Sequence, residues 1–167
     1  MAALSDYLES GLLNHVFRNE SFPKPSAIAI ALTSGVPADS HTGSTIPEIP
    51  SGINGSGTGY ARILLDLTNE RGNDYWSFST DDLSVGSGLI KNAANRVFDT
   101  ALLDWGWISG IAITDHGDYG SGNLLMHQQL DNPRVIYTGD SAVFNAETLQ
   151  ISFKLLQQIF NCFFCAG

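Results

Sequence analysis

Between Trp105 and Leu130, apolar and polar positions alternate on both sides of a turn-rich segment. Trp107, Ser109, Ile111 and Ile113 interleave with Ile108, Gly110, Ala112 and Thr114, so both faces of a first strand are largely covered. Asp115 to Gly122 (DHGDYGSG) supplies a turn, and Leu124, Met126, Gln128 and Leu130 resume the period of two. Apolar runs of this length, bounded by Gly, Asp and Asn, predict a β-hairpin buried in a sheet-on-sheet core. No other stretch holds as much unbroken strand signal, so the hairpin is expected at the centre of the fold.

Residues 4–18 place Leu4, Tyr7, Leu8, Leu12, Leu13, Val16 and Phe17 at three- and four-residue spacings, which predicts a helix. Ser5 or Asp6 can cap it, and Asp6 with Glu9 has the spacing of a capping-box variant, while Gly11 weakens it by about 1 kcal/mol relative to Ala. Phe22-Pro-Lys-Pro25 favours extended backbone, and Ala27 to Thr33 reads as a buried strand. Residues 34–58 are rich in Pro, Gly and Ser and read as a long loop, functional or slack. Strands are expected again over 60–68, at Trp76-Ser-Phe-Ser, and over most of 89–98, where helical spacing competes. Further strands are expected over 134–137, 142–144 beyond a Gly139-Asp140 turn, and 149–155. Roughly eight strands fall in the range of sandwiches and jelly rolls.

The expected fold is therefore mostly β: a single-domain, jelly-roll-like β-sandwich over 23–154, a helix and arm over 1–22, and an apolar tail over 155–167. Three apolar sets are candidate partner contacts. They are the helix stripe Leu8, Leu12 and Val16, the loop residues Ile46, Ile49 and Ile53, and the tail residues Ile159, Phe160, Phe163 and Phe164. The helix stripe equally suits ordinary packing, and the loop set suits an arm reaching across a neighbouring subunit. The tail carries no charge after Lys154 and would be a sticky surface if left uncovered.

Composition sharpens this picture. At 167 residues the chain is long enough for one domain with its own core. Its 17 glycines fit a chain that turns often. A formal charge of −9 argues against a surface adapted to nucleic acid. No signal-peptide pattern opens the sequence, and no apolar run approaches the roughly 18–20 residues of a membrane span. Cys162 and Cys165, the only 2 cysteines, do not form a disulfide framework, and an intracellular origin is expected.

Candidate chemistry is sparse. His15, His41, His116 and His127 lie in separate segments without metal-ligand spacing. Asp115-His-Gly-Asp118 with Asn123 is oxygen-rich enough for a cation, yet Asp and Gly are also what hairpin turns use. Cys162-Phe-Phe-Cys165 is a lone CxxC without the second pair a structural zinc site needs. There is no G-x-S-x-G elbow, and the glycine-rich 52–59 is followed by no Lys. Asp81-Asp82 reads as solvated. The chain is read as a non-enzyme with no cofactor and no metal.

Several segments, taken together, resemble bacteriophage virion structural proteins of the tail-fibre-like kind, and also small head-decoration proteins. The likeness lies in Leu4 to Phe17 (LSDYLESGLLNHVF), Phe22-Pro-Lys-Pro25, Ala29-Ile-Ala-Leu-Thr-Ser34, Gly59-Tyr-Ala-Arg62, Trp105-Gly with Ile111-Ala-Ile113, Gly122-Asn-Leu-Leu-Met-His127 and Gly139-Asp-Ser-Ala-Val-Phe144. The stretches keep the family's order over most of 4–153. The Pro-rich insert 36–54 and the tail after Lys154 depart from it. The resemblance implies a non-enzymatic virion building block, made in the host cytoplasm. The leading expectation is a capsid decoration or cement protein, a homotrimer clamping neighbouring major capsid subunits. A tail or baseplate adaptor is the alternative. A glycan-binding module is the third, with Tyr75-Trp76 or Trp105 and Trp107 as stacking platforms.

Overall fold

A computed structural model describes residues 3–25, 27–49, 57–65, 76–78 and 89–152. In chain order the elements are β1 (Ala3–Leu4), α1 (Asp6–Phe17), β2 (Ile28–Thr33), β3 (Ile63–Leu65), β4 (Trp76–Phe78), β5 (Leu89–Asn92), β6 (Arg96–Val97), β7 (Gly106–Thr114), β8 (Leu124–Ile136), β9 (Val143–Phe144) and β10 (Gln150–Ser152). The chain is mostly β with one helix near the N-terminus, as its pattern predicts. The strands form three antiparallel sheets: β1-β8-β7-β2-β3, β10-β5-β4 and β6-β9. The segment 89–98 resolves into two strands, β5 and β6, with no helix.

The predicted hairpin is β7–β8, and it does sit at the centre, with β7 between β8 and β2. β8 runs on through Asp131, Asn132 and Pro133 to Ile136, joining what the pattern divides into two strands. Pro133 is tolerated because the ladder skips it. Ile108 pairs with Arg134 and Gly110 with Gln129, so residues 130–133 face Ser109 alone in a bulge where no proline N–H is required.

The helix starts where its cap dictates. The Ser5 hydroxyl accepts from the Leu8 N–H at 3.2 Å, and it also donates to the Leu124 carbonyl, tying the helix start to β8. The expected Asp6–Glu9 box is not the cap: with Ser5 as N-cap the box position falls on Leu8, which has no carboxylate. Gly11 has a packing reason, since the Phe22 ring occupies the space a Cβ there would need. Asn19, in the left-handed conformation at φ 56°, follows the helix end.

The two faces of the central sheet differ in side-chain size. On one, Ile30, Leu32, Ile108 and Ile111 join Tyr60, Phe98 and Trp105 in the main core. Tyr60 and Trp105 meet edge to face at 5.4 Å. On the other, Ala31 and Ala112 leave a shallow surface, and the loop after β2 lies down on it with Ile46 packed against them and Leu124. Residues 47–49 extend the sheet along the end of β2: Ser34 donates to the Pro47 carbonyl at 2.9 Å and Ile49 to the Leu32 carbonyl at 3.1 Å. Residues 34–49 of the expected loop are therefore a strap folded onto its own sheet.

Candidate functional site

The densest polar constellation is buried under that strap. Arg62, three residues past a glycine bend and just before β3, is enclosed with its side chain 0% exposed, and Glu48 of the strap is 2% exposed. The pair is bidentate: Nε donates to Oε1 at 2.8 Å and Nη2 to Oε2 at 2.7 Å. The rest of the guanidinium gathers the surrounding chain. Nη2 donates to the Gly43 carbonyl at 2.9 Å, and Nη1 faces the carbonyls of His116 (2.9 Å) and Ser121 (2.8 Å) and the Thr114 hydroxyl (3.1 Å). One side chain thus fixes the strap, the end of β7 and the hairpin turn against each other.

Tyr60 completes the node from below. Its hydroxyl donates to Glu48 Oε1 at 2.9 Å and accepts from the Leu32 N–H at 3.0 Å. Burial, reinforced by the Glu48 charge, pushes its ionisation well above the ordinary phenol range. Tyr119, less enclosed, is raised for the same two reasons. The bend that aims Tyr60 and Arg62 inward needs glycine at position 59: φ is +76°, and a Cβ would strike the Thr100 carbonyl. A buried phenol beside a paired carboxylate is a poor base and a poor nucleophile. This arrangement serves architecture.

The turn 115–123 is closed by its own side chains. Asp115 accepts from the Asn123 N–H at 2.6 Å and from the Asn123 amide at 2.8 Å, so the carboxylate considered for a cation shapes the turn. Among the described residues no group of three or more His, Cys, Asp or Glu is placed to hold a metal. His127 meets Asp39 of the strap at 2.8 Å, a second clasp holding the strap to β8. A cleft of about 460 Å³ lies between β8 and residues 141–150, with Leu32, Ile111 and Leu149 in its floor and Gln128, Asp131 and Arg134 at its rim. No described helix is long and apolar enough to cross a membrane.

The expected contact residues fall into three groups. Leu8, Ile46 and Ile49 are buried in the chain's own clusters, so the arm reading of the loop is corrected for the latter two: the alanine face of the sheet takes up Ile46, and the main core takes up Ile49. Leu12 is half-buried and Val16 exposed. Ile53, Ile159, Phe160, Phe163 and Phe164 lie outside the described residues, as does the CxxC pair. Of the aromatics considered for sugar stacking, Trp105 is core, donating from its indole N–H to the Thr58 carbonyl at 2.9 Å, while Trp107 is more than half exposed.

The Glu48–Arg62 node escapes a search for catalytic motifs, yet it leaves a signal. Each residue is a lone charge in an apolar run, IPEIP and YARILL, in a chain with only 8 basic residues. A charge that neighbours drag into a core requires a partner.

No curated protein matches the chain. The family described as podophage GP4 fiber I protein gp80 matches residues 3–152, a span that takes in every described element of the fold. The chain belongs to this family of phage virion structural fibre proteins.

Proposed function

We propose that the chain is a non-enzymatic structural subunit of a podophage fibre, seated with the tail apparatus. The family match over 3–152 carries this reading, because its description is of a fibre component. A fibre component favours the tail over the head-decoration role. The interior supports a building block: its buried charges, Arg62 and Glu48, are spent on locking the strap and turn together. Neighbouring subunits contact the open end of the hairpin. There Trp107, Tyr137, Leu102 and Leu103 are each at least half exposed, and the backbone links Trp105 to Ile136 and Gly139 to Ala101 hold their segments together. Exposed aromatic residues grouped in this way are typical anchors of protein contacts.

The test is location. Particles carrying an epitope on the exposed Asn145–Glu147 segment are imaged with bound antibody fragments. Label at the tail or its fibres supports the reading. Label spread over the shell returns the protein to capsid decoration, as a clamp on the major capsid protein, and absence of label from particles removes it from the virion.

A further inference from the structure

Burial falls off along one side of α1. Leu8, Leu12 and Val16 recur every four residues; Leu8 is 7% exposed and packs with Ile113 and Leu125, and Leu12 sits half-buried at the edge of that cluster. Val16 is 66% exposed, Phe17 beside it 77%, and Leu13 is exposed as well. The stripe runs off the sheet, leaving three large apolar side chains bare on the last turns of the helix. Bare apolar groups in such a cluster are normally covered by something.

The described part of the chain ends at this spot. Ile151 of β10 packs against the same cluster as Leu12, one residue before the last described residue, Ser152. Of residues 153–167, only Lys154 is charged, and Leu155, Leu156, Ile159, Phe160, Phe163 and Phe164 are apolar. The reach is ample. With a rise of 1.5 Å per residue, Val16 lies roughly 6–12 Å along the helix from Leu12 and Leu8. Extended backbone covers about 3.3 Å per residue, so five residues beyond Ser152 span roughly 16 Å. A tethered segment also meets the face at an effective concentration on the order of millimolar, which a free partner rarely matches.

We propose that residues 155–164 dock on the last turns of α1 of the same chain, covering Leu13, Val16 and Phe17 and closing the helix-side cluster. The place of Ile151 in this cluster, one residue before the described chain ends, favours this occupant over a second copy. The inference stands apart from the fibre assignment, since it concerns one chain in dilute solution.

Cys162 and Cys165, the only cysteines, sit among the tail phenylalanines and report on it directly. Full-length protein is reacted with a chromogenic aromatic disulfide under native conditions, at two protein concentrations a hundredfold apart. It is compared with Val16→Glu/Phe17→Glu and, as a second variant, Leu13→Glu. All three positions are exposed, so the β domain stays folded, which near-UV circular dichroism verifies. The expected result is thiol reaction at least about tenfold slower in the natural sequence than in the variants, the scale set by burying even one large apolar side chain, with no effect of dilution. Equal rates in natural and variant proteins would overturn the proposal. Protection that disappears on dilution would overturn it too, in favour of a second copy as the occupant.

Discussion

Replacing Arg62 with methionine removes the donor on which strap, β7 and turn converge, and leaves the Glu48 carboxylate enclosed with, among the described residues, the Tyr60 hydroxyl and the Gly120 N–H, 3.3 Å away, to face it. Breaking a buried pair by deleting one partner costs about 3–5 kcal/mol, because the remaining charge is neither solvated nor paired. The carbonyls of Gly43 and Ser121 also lose the Arg62 donor, at about 1–3 kcal/mol for each one that stays dry, while that of His116 keeps the Thr114 hydroxyl at 2.9 Å. These losses do not add, since a loosened turn admits water, and about 4 kcal/mol is the expected total. For a domain of this length each kcal/mol lowers the melting temperature by about 2–4 °C, which gives a fall of roughly 8–16 °C. Near-UV circular dichroism reads it through Trp105, whose ring contacts Tyr60 in the core. Arg62→Lys keeps the charge but has no planar fork to reach both carboxylate oxygens and the carbonyls, so it recovers only part of the loss. Glu48→Gln combined with Arg62→Met is expected to be more stable than the sum of the single effects, because no uncompensated charge remains. Arg62→Met melting within about 1 kcal/mol of the natural protein would refute the role given to the node.

Ile111 is buried on the main-core face of β7, so Ile111→Asp places an unpaired charge there and is expected to unfold the domain, costing several kcal/mol; a soluble variant with unchanged melting would show the residue facing water. Gly43→Ala drives a Cβ into the Ser121 carbonyl and prises the strap from the hairpin turn, for an expected loss of about 1–3 kcal/mol in urea unfolding; no loss would mean the two loops move independently. Burial raises the ionisation of Tyr60, so its contribution to stability is complete below the unfolded phenol value of about 10 and is lost as pH rises beyond it toward the folded value. Tyr60→Phe should therefore remove from the ultraviolet titration one phenol that ionises well above the ordinary range, and should flatten the alkaline loss of stability; an unchanged high-pH end of the titration in this variant would contradict this.

The parts of the fold legible in the sequence are those where one physical signal dominates. The hairpin declares itself because two apolar runs of period two flank a turn rich in Gly and Asp, a pattern that a buried helix does not give. The helix is legible from its spacing, but its cap is settled by a tertiary contact, the Ser5 hydroxyl on the Leu124 carbonyl, which no local pattern contains. β1 is two residues long and pairs with β8 only at Met126 and His127, too short to leave a period. Pro133 hides the true length of β8, because a proline inside a strand reads as a break unless the bulge is known. The strap is the least legible element: Pro, Ser and Gly composition signals exposure, whereas here backbone polar groups are satisfied by Leu32, Ser34 and Arg62, and Ile46 and Ile49 turn inward. The polar node follows the same logic, since its partners lie 14 residues apart in sequence and meet only when the strap folds back.

The proposed seat of this structural subunit, with the tail apparatus, is tested most directly by counting copies. Purified particles are separated into emptied heads and tail assemblies, and the protein is quantified in each fraction by mass spectrometry with isotope-labelled peptides. A fibre subunit is expected in a small, constant copy number per particle that follows the tail fraction. Recovery with the heads, in numbers comparable to the shell subunit, would contradict it.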